Sequence, residues 1–157
     1  MTELDIYENI RKENIELTPA QKPSGKYKLC VQFSDNLLYT SGANCRKEGT
    51  PLYSGKVGKD VTLEEGRQCA EQCIINILSN LNEQIGDLNR IRRVIKILGF
   101  VASAEDFYEQ PKVMDAACDL LNRIFGEDGV GARSAIGAPV LPGNIPVEIE
   151  ILFELKD

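Results

Sequence analysis

Residues 90–103, RIRRVIKILGFVAS, open with three arginines and then run apolar to Ala102, interrupted only by Lys96. The run is too short to span a bilayer and too poor in polar residues to lie half in water. It predicts a central strand covered on both faces. The last segment, PVEIEILFEL, behaves differently: Val147, Ile149, Ile151 and Phe153 alternate with Glu148, Glu150, Leu152 and Glu154. That period of two marks a strand with one buried face. A fold that holds both kinds of strand needs helices to cover a sheet.

Two segments supply them. Thr62-Leu63-Glu64-Glu65 is a capping box, in which the threonine hydroxyl and the glutamate carboxylate satisfy each other's exposed amides. The helix it opens is predicted to run to about Gln84 and to stop at Gly86. Cys69, Cys73, Ile77 and Leu81 form one stripe along it, with Ala70, Ile74, Leu78 and Ile85 beside them. The second helix is EQPKVMDAACDLLNRIFG, with Pro111 in its first turn, Gly126 after its end, and Val113, Ala117, Leu120, Leu121 and Ile124 facing the core.

Upstream, KYKLCVQF (26–33) places Tyr27, Leu29, Val31 and Phe33 on one side of a half-buried strand, and LLYTSG (37–42) completes a hairpin. A short strand is expected around Leu52–Val57, another in RSAIGAP, and a short amphipathic helix within residues 1–18. The order β-β-(β)-α-β-α-β-β predicts an α+β fold, a mixed sheet with two helices packed on one face. A single domain over residues 1–157 is expected, with 1–22 as an N-terminal extension. Leu29, Val31, Leu38 and the central strand carry more apolar surface than two helices cover, so contacts between copies are expected on the opposite face.

The chain of 157 residues contains no histidine. That removes Ser-His-Asp and Cys-His catalysis and histidine-bound metals together. A net charge of −6 counts against nucleic-acid binding. The charged N-terminus lacks a signal-peptide core, and five cysteines form no C-x-x-C, which predicts reduced thiols in the cytoplasm and no membrane association. Cys69, Cys73 and Cys118 lie on apolar helix faces and are expected to be buried and inert. GKVGKD (55–60) lacks the full phosphate-loop pattern and reads as a loop.

Chemistry then rests on carboxylates and arginine. Glu148 and Glu150 point to one side of a strand, about 7 Å apart by the strand rise. They fit a solvent-facing polar edge, and equally a pocket wall where one of them works as acid or base. Arg133 follows glycines and precedes the small residues of SAIGA, so exposed amides lie beside a guanidinium suited to two-point capture of a carboxylate.

ARSAIGAPVLPGNIPVEIE, together with GKY before LLYTSG and GFVASAEDFYEQPKVMDAACDLLNRIFG, resembles the RidA (YjgF) family of reactive-intermediate imine deaminases. The resemblance spans about residues 23–155 and is to a longer branch of the family. It implies a chorismate-mutase-like fold and a homotrimer with clefts between subunits. No cofactor or metal is implied. The implied activity is hydrolytic deamination of reactive 2-imino or enamine acids to 2-keto acids and ammonia. Alternatives are a non-catalytic trimer that binds small carboxylates, or an endoribonuclease. By the same resemblance Arg133 binds the substrate carboxylate and Glu148 handles the catalytic water. Tyr27, Ser41 and Gly42 line the pocket. Asp115 and Ala135 join them at positions where the well-known deaminases carry asparagine and cysteine.

Overall fold

The computed structural model describes residues 4–156, so the first three residues of the expected N-terminal extension, and Asp157, lie outside the described residues. Helix α1 (Ile6–Lys12) is followed by the hairpin β1 (Cys30–Phe33) and β2 (Leu37–Thr40). Next come β3 (Ala43–Asn44), a small ribbon of β4 (Arg46–Lys47) and β5 (Thr50–Pro51), and the long helix α2 (Leu63–Ile85). Strand β6 (Ile91–Ala102), helix α3 (Gln110–Phe125), β7 (Ala132–Ala138) and β8 (Val147–Leu155) complete the order.

The main sheet runs β1-β2-β8-β6-β7, with β3 also paired to β8; β6 and β7 are parallel and the other pairs antiparallel. Val147, Ile149, Ile151, Phe153 and Leu155 are all buried, and they meet Ile97, Val101, Ile74, Ile77, Leu121 and Ile124 in one core. The expected α+β fold, with a mixed sheet and its long helices on one face, is present.

Local chemistry sets the helix limits. Thr62 Oγ1 accepts from the Glu65 amide at 3.1 Å and Glu65 returns the bond to the Thr62 amide at 2.8 Å. Gly86 closes α2 in the left-handed region at φ 79°. Helix α1 belongs to the core, with Ile6 and Ile10 buried. The Tyr7 hydroxyl donates to Asn82 and accepts from the Leu88 amide, which ties α1 to the end of α2.

Four expectations need correction. The first strand starts at Cys30, not at 26, because its partner β2 ends at Thr40 and the chain kinks there into β3; Ser41 instead holds the Leu29 and Lys28 carbonyls. Residues 52–57 form no strand: Lys56 N donates to Asp60 Oδ2 in a tight turn, and Val57 is buried with isolated bridges to Val61 and Ser103. Leu38 is in the core and adds nothing to the uncovered face. Cys118 is only half-buried, because it sits where α3 passes the edge strand β7.

The far side of the sheet is uncovered. Val31, Phe33, Tyr39 and Ile136 remain 42–50% exposed, and Leu98, Phe100 and Leu152 are half-buried around them. The arginine run is paired: Arg93 Nε lies 2.5 Å and Arg92 Nη1 3.6 Å from the carboxylate of Glu154. No helix among the described residues is long and apolar enough to cross a membrane.

Cys45, Cys69 and Cys73 are sealed in the core, whereas Cys30 and Cys118 are half-buried. Native protein treated with a maleimide should therefore carry adducts only at Cys30 and Cys118, with the other three reacting after denaturation. Peptide mapping by mass spectrometry checks this, and rapid native labelling of Cys69 or Cys73 would contradict the packing.

Candidate active site

The kink between β2 and β3 builds one half of the site. Gly42 passes so close to β8 that a Cβ there would lie 2.5 Å from Glu148 Oε1. Its missing side chain is the space in which the Glu148 carboxyl lies. Tyr27, Tyr39, Ser41, Gly42, Glu148 and Glu150 line a pocket of about 550 Å³ on the uncovered face of the sheet. Tyr39 donates to Glu150 Oε1 at 2.5 Å, and Ser41 Oγ donates to the Lys28 carbonyl at 2.5 Å.

Glu148 is half-buried, and burial pushes its carboxyl above the usual range, with the neighbouring Glu150 charge adding to the effect. Glu148 is thus poised to gain and lose a proton closer to neutrality than an exposed glutamate. In the sequence the two glutamates look equivalent. In the structure Glu150 is engaged by Tyr39, whereas the Glu148 carboxyl has no hydrogen-bond partner among the described residues.

Arg133 is elsewhere. The β6–β7 ladder sets Arg133 opposite Ile97 and Ala135 opposite Gly99, and Ile97 belongs to the helix-covered face. Arg133 therefore leaves the sheet on the α3 side. Gly131, two residues earlier, lets β7 begin hard against β6; a Cβ there would lie 2.9 Å from the Val94 and Ile95 carbonyl oxygens. From that position Arg133 Nη1 donates to Asp115 Oδ1 at 2.6 Å and lies 3.7 Å from Cys118 Sγ. Asp115 holds the guanidinium firmly in its charged form. Burial pushes the Cys118 thiol up, and Arg133 offsets part of that rise.

The expected residues thus form two groups within one chain. Tyr27, Ser41, Gly42 and Glu148 meet on the uncovered face, and Arg133, Asp115 and Ala135 meet at the β7–α3 edge of the other face. Tyr39 and Glu150 belong to the first group and Cys118 to the second, and sequence spacing gave no sign of either contact. A larger cavity of about 770 Å³ lies between residues 13–21, the β4–β5 ribbon and the outer surfaces of α2 and α3. It contains none of these residues, and its lining pairs Arg123 with Glu13 and Glu71. No group of three or more acidic or cysteine side chains suited to a metal ion occurs among the described residues.

The raised proton affinity of Glu148 has a stability consequence. At acid pH the carboxyl is neutral in both folded and unfolded chains and carries no penalty. As pH rises past the ordinary carboxylate range, the unfolded chain ionises first and the folded state loses stability until Glu148 also ionises. Glu148→Gln should therefore melt at a higher temperature than wild type near neutral pH, with the gap closing below about pH 4. Thermal melts across pH check this, and a wild type that is the more stable near pH 7 would contradict it.

Residues 12–155 match the family model described as "YjgF/chorismate mutase-like, putative endoribonuclease". Protein TCP17 of Trypanosoma cruzi is 34% identical over 150 residues, which cover 95% of this chain and 93% of that protein. The structure of Atu1372 from Agrobacterium tumefaciens, a protein of unknown function, superposes with a TM-score of 0.88 at 38% identity, covering 96% of this chain and 92% of that one. A Shewanella oneidensis MR-1 protein described as a "putative endoribonuclease" gives a TM-score of 0.92 at 29% identity, covering 96% and 99%. A match over nearly the whole chain, with the same fold in these relatives, places this protein in the YjgF/chorismate-mutase-like (Rid) family.

Proposed function

We propose that this protein hydrolyses reactive 2-imino acids to 2-keto acids and ammonia, in a cleft shared between copies of the chain. The observation that carries the reading is Glu148: a half-buried carboxyl with raised proton affinity, in a hydroxyl-lined pocket, in a chain without histidine.

Arg133 and Glu148 leave opposite faces of one sheet, so a single chain does not direct both at one small substrate. A second copy has to lay its β7–α3 edge across the uncovered face of the first. The apolar side chains exposed there, Val31, Phe33, Tyr39 and Ile136, favour such a contact. Because the two surfaces differ, the contact is heterologous, which makes a closed ring where its rotation closes on itself. A homotrimer is the ring we propose, in keeping with the sequence resemblance.

In that cleft Arg133 fixes the substrate carboxylate and so orients the electrophilic carbon beside it. Glu148, as carboxylate, takes a proton from a water as its oxygen adds to the C=N carbon. The neutral carboxyl then passes that proton to the nitrogen. Glu148 then takes the remaining hydroxyl proton and passes it to the nitrogen as well, so the C–N bond breaks, a carbonyl forms, and ammonia leaves. Tyr27 and Ser41 bound the pocket wall. An imine hydrolyses unaided in water, so positioning one water and one carboxylate is enough for useful acceleration.

The endoribonuclease reading has less physical support. Net charge is −6, and on the uncovered face Arg92 and Arg93 are paired with Glu154 while Lys96 donates to Ser134. Little free cationic surface remains there for a phosphate backbone.

Two tests follow. Sedimentation at micromolar concentration should show a trimer of the 17.4 kDa chain, and a stable monomer would contradict the shared cleft. Ammonia release from freshly generated 2-imino acids should fall about thirty- to a thousandfold in kcat/KM for Arg133→Ala, equivalent to about 2–4 kcal/mol. Arg133→Lys should fail almost as badly, since an ammonium does not reproduce a planar two-point grip. Glu148→Gln should lower kcat and leave carboxylate binding largely intact. Full activity in Arg133→Ala would exclude the reading.

A further inference from the structure

Arg133 does not wait for its ligand as a lone cation. Its Nη1 is taken by Asp115 Oδ1 at 2.6 Å, while Nε and Nη2 have no other partner among the described residues. The pair carries no net charge, and the Asp115 side chain is the more exposed member, 50% against 28%. An anion that approaches the free Nε–Nη2 edge therefore meets attraction from the guanidinium and repulsion from a carboxylate on the same group. A ligand with a positive charge next to its carboxylate meets attraction from both.

We infer that Asp115 makes the Arg133 end of the cleft select by net charge, admitting zwitterionic 2-iminio acids and disfavouring anionic 2-keto acids. This rests on the reading of Arg133 as the carboxylate clamp. In a protonated 2-imino acid the cationic nitrogen is one carbon from the carboxylate. Two-point binding to Nε and Nη2 brings that nitrogen within Coulombic range of Asp115. In the product, a carbonyl oxygen with partial negative charge takes its place. Hydrolysis thus turns a ligand that Asp115 holds into one that it repels, and the residue that helps admit substrate helps release product. An asparagine at this position would hold the guanidinium in place without the selection by charge.

Titration calorimetry of the assembled protein at low salt tests this, with pyruvate as the anionic probe and alanine as a stable zwitterion. Asp115→Asn should bind pyruvate about tenfold more tightly than wild type, with the gain shrinking in high salt. Alanine should be unchanged or weaker, and Asp115→Glu should keep the wild-type preference. If Asp115→Asn weakens both ligands alike, or leaves the ratio of the two Kd values unchanged, Asp115 only positions Arg133 and the inference is overturned. Pyruvate binding that survives Arg133→Ala would instead remove the clamp itself, and the proposed function with it.

Discussion

The ladders that join β7, β6 and β8 fix the phase of every side chain in the middle of the sheet. Ile97 pairs with Ile151 on one side and Arg133 on the other, while Phe100 pairs with Glu148 and Ile136. Because successive residues point to opposite faces, that register commits Arg133 to the helix layer and Glu148 to the uncovered face. A slip of one residue in β8 would expel Ile149, Ile151 and Phe153 from the core, so the hydrophobic interior itself guards the placement. The site is thus as firmly positioned as the core, and for the same reason.

That commitment also explains why an uncovered apolar face and the two-part site we propose occur together. Glu148 needs partial burial to hold its proton affinity up, and Gly42 gives it room to lie against the chain. Arg133 needs a second element to hold its guanidinium, and α3 supplies Asp115. No single strand offers both environments. A second copy brought against the apolar face would complete the pocket and remove Val31 and Phe33 from water in one association.

Much of this was legible in the sequence. The capping box at Thr62, Pro111 and the glycines at 86 and 126 bracket α2 and α3 closely, because they act through local hydrogen bonds and backbone freedom. The alternation of β8 was equally plain. Periodicity fixes which residues share a face, however, and not what covers that face, so the separation of Arg133 from Glu148 was hidden. The Asp115–Arg133 pair was hidden too, because it depends on how α3 packs beside the edge strand. The first strand is shorter than its alternation predicts, since the kink at Ser41 and Gly42 removes its partner by a backbone turn that leaves no hydrophobic trace.

The shared cleft is tested most directly by mixing two inactive chains. Arg133→Ala and Glu148→Gln, co-expressed and purified together through different tags, would form mixed rings. If Arg133 of one copy serves Glu148 of its neighbour, about a quarter of the clefts in randomly mixed rings pair two intact residues. Imine hydrolysis should then return to roughly that fraction of the wild-type rate. If both residues act within one chain, every cleft in the mixture lacks one of them. Activity no higher than that of the separate variants, in rings shown to contain both chains, would contradict the account.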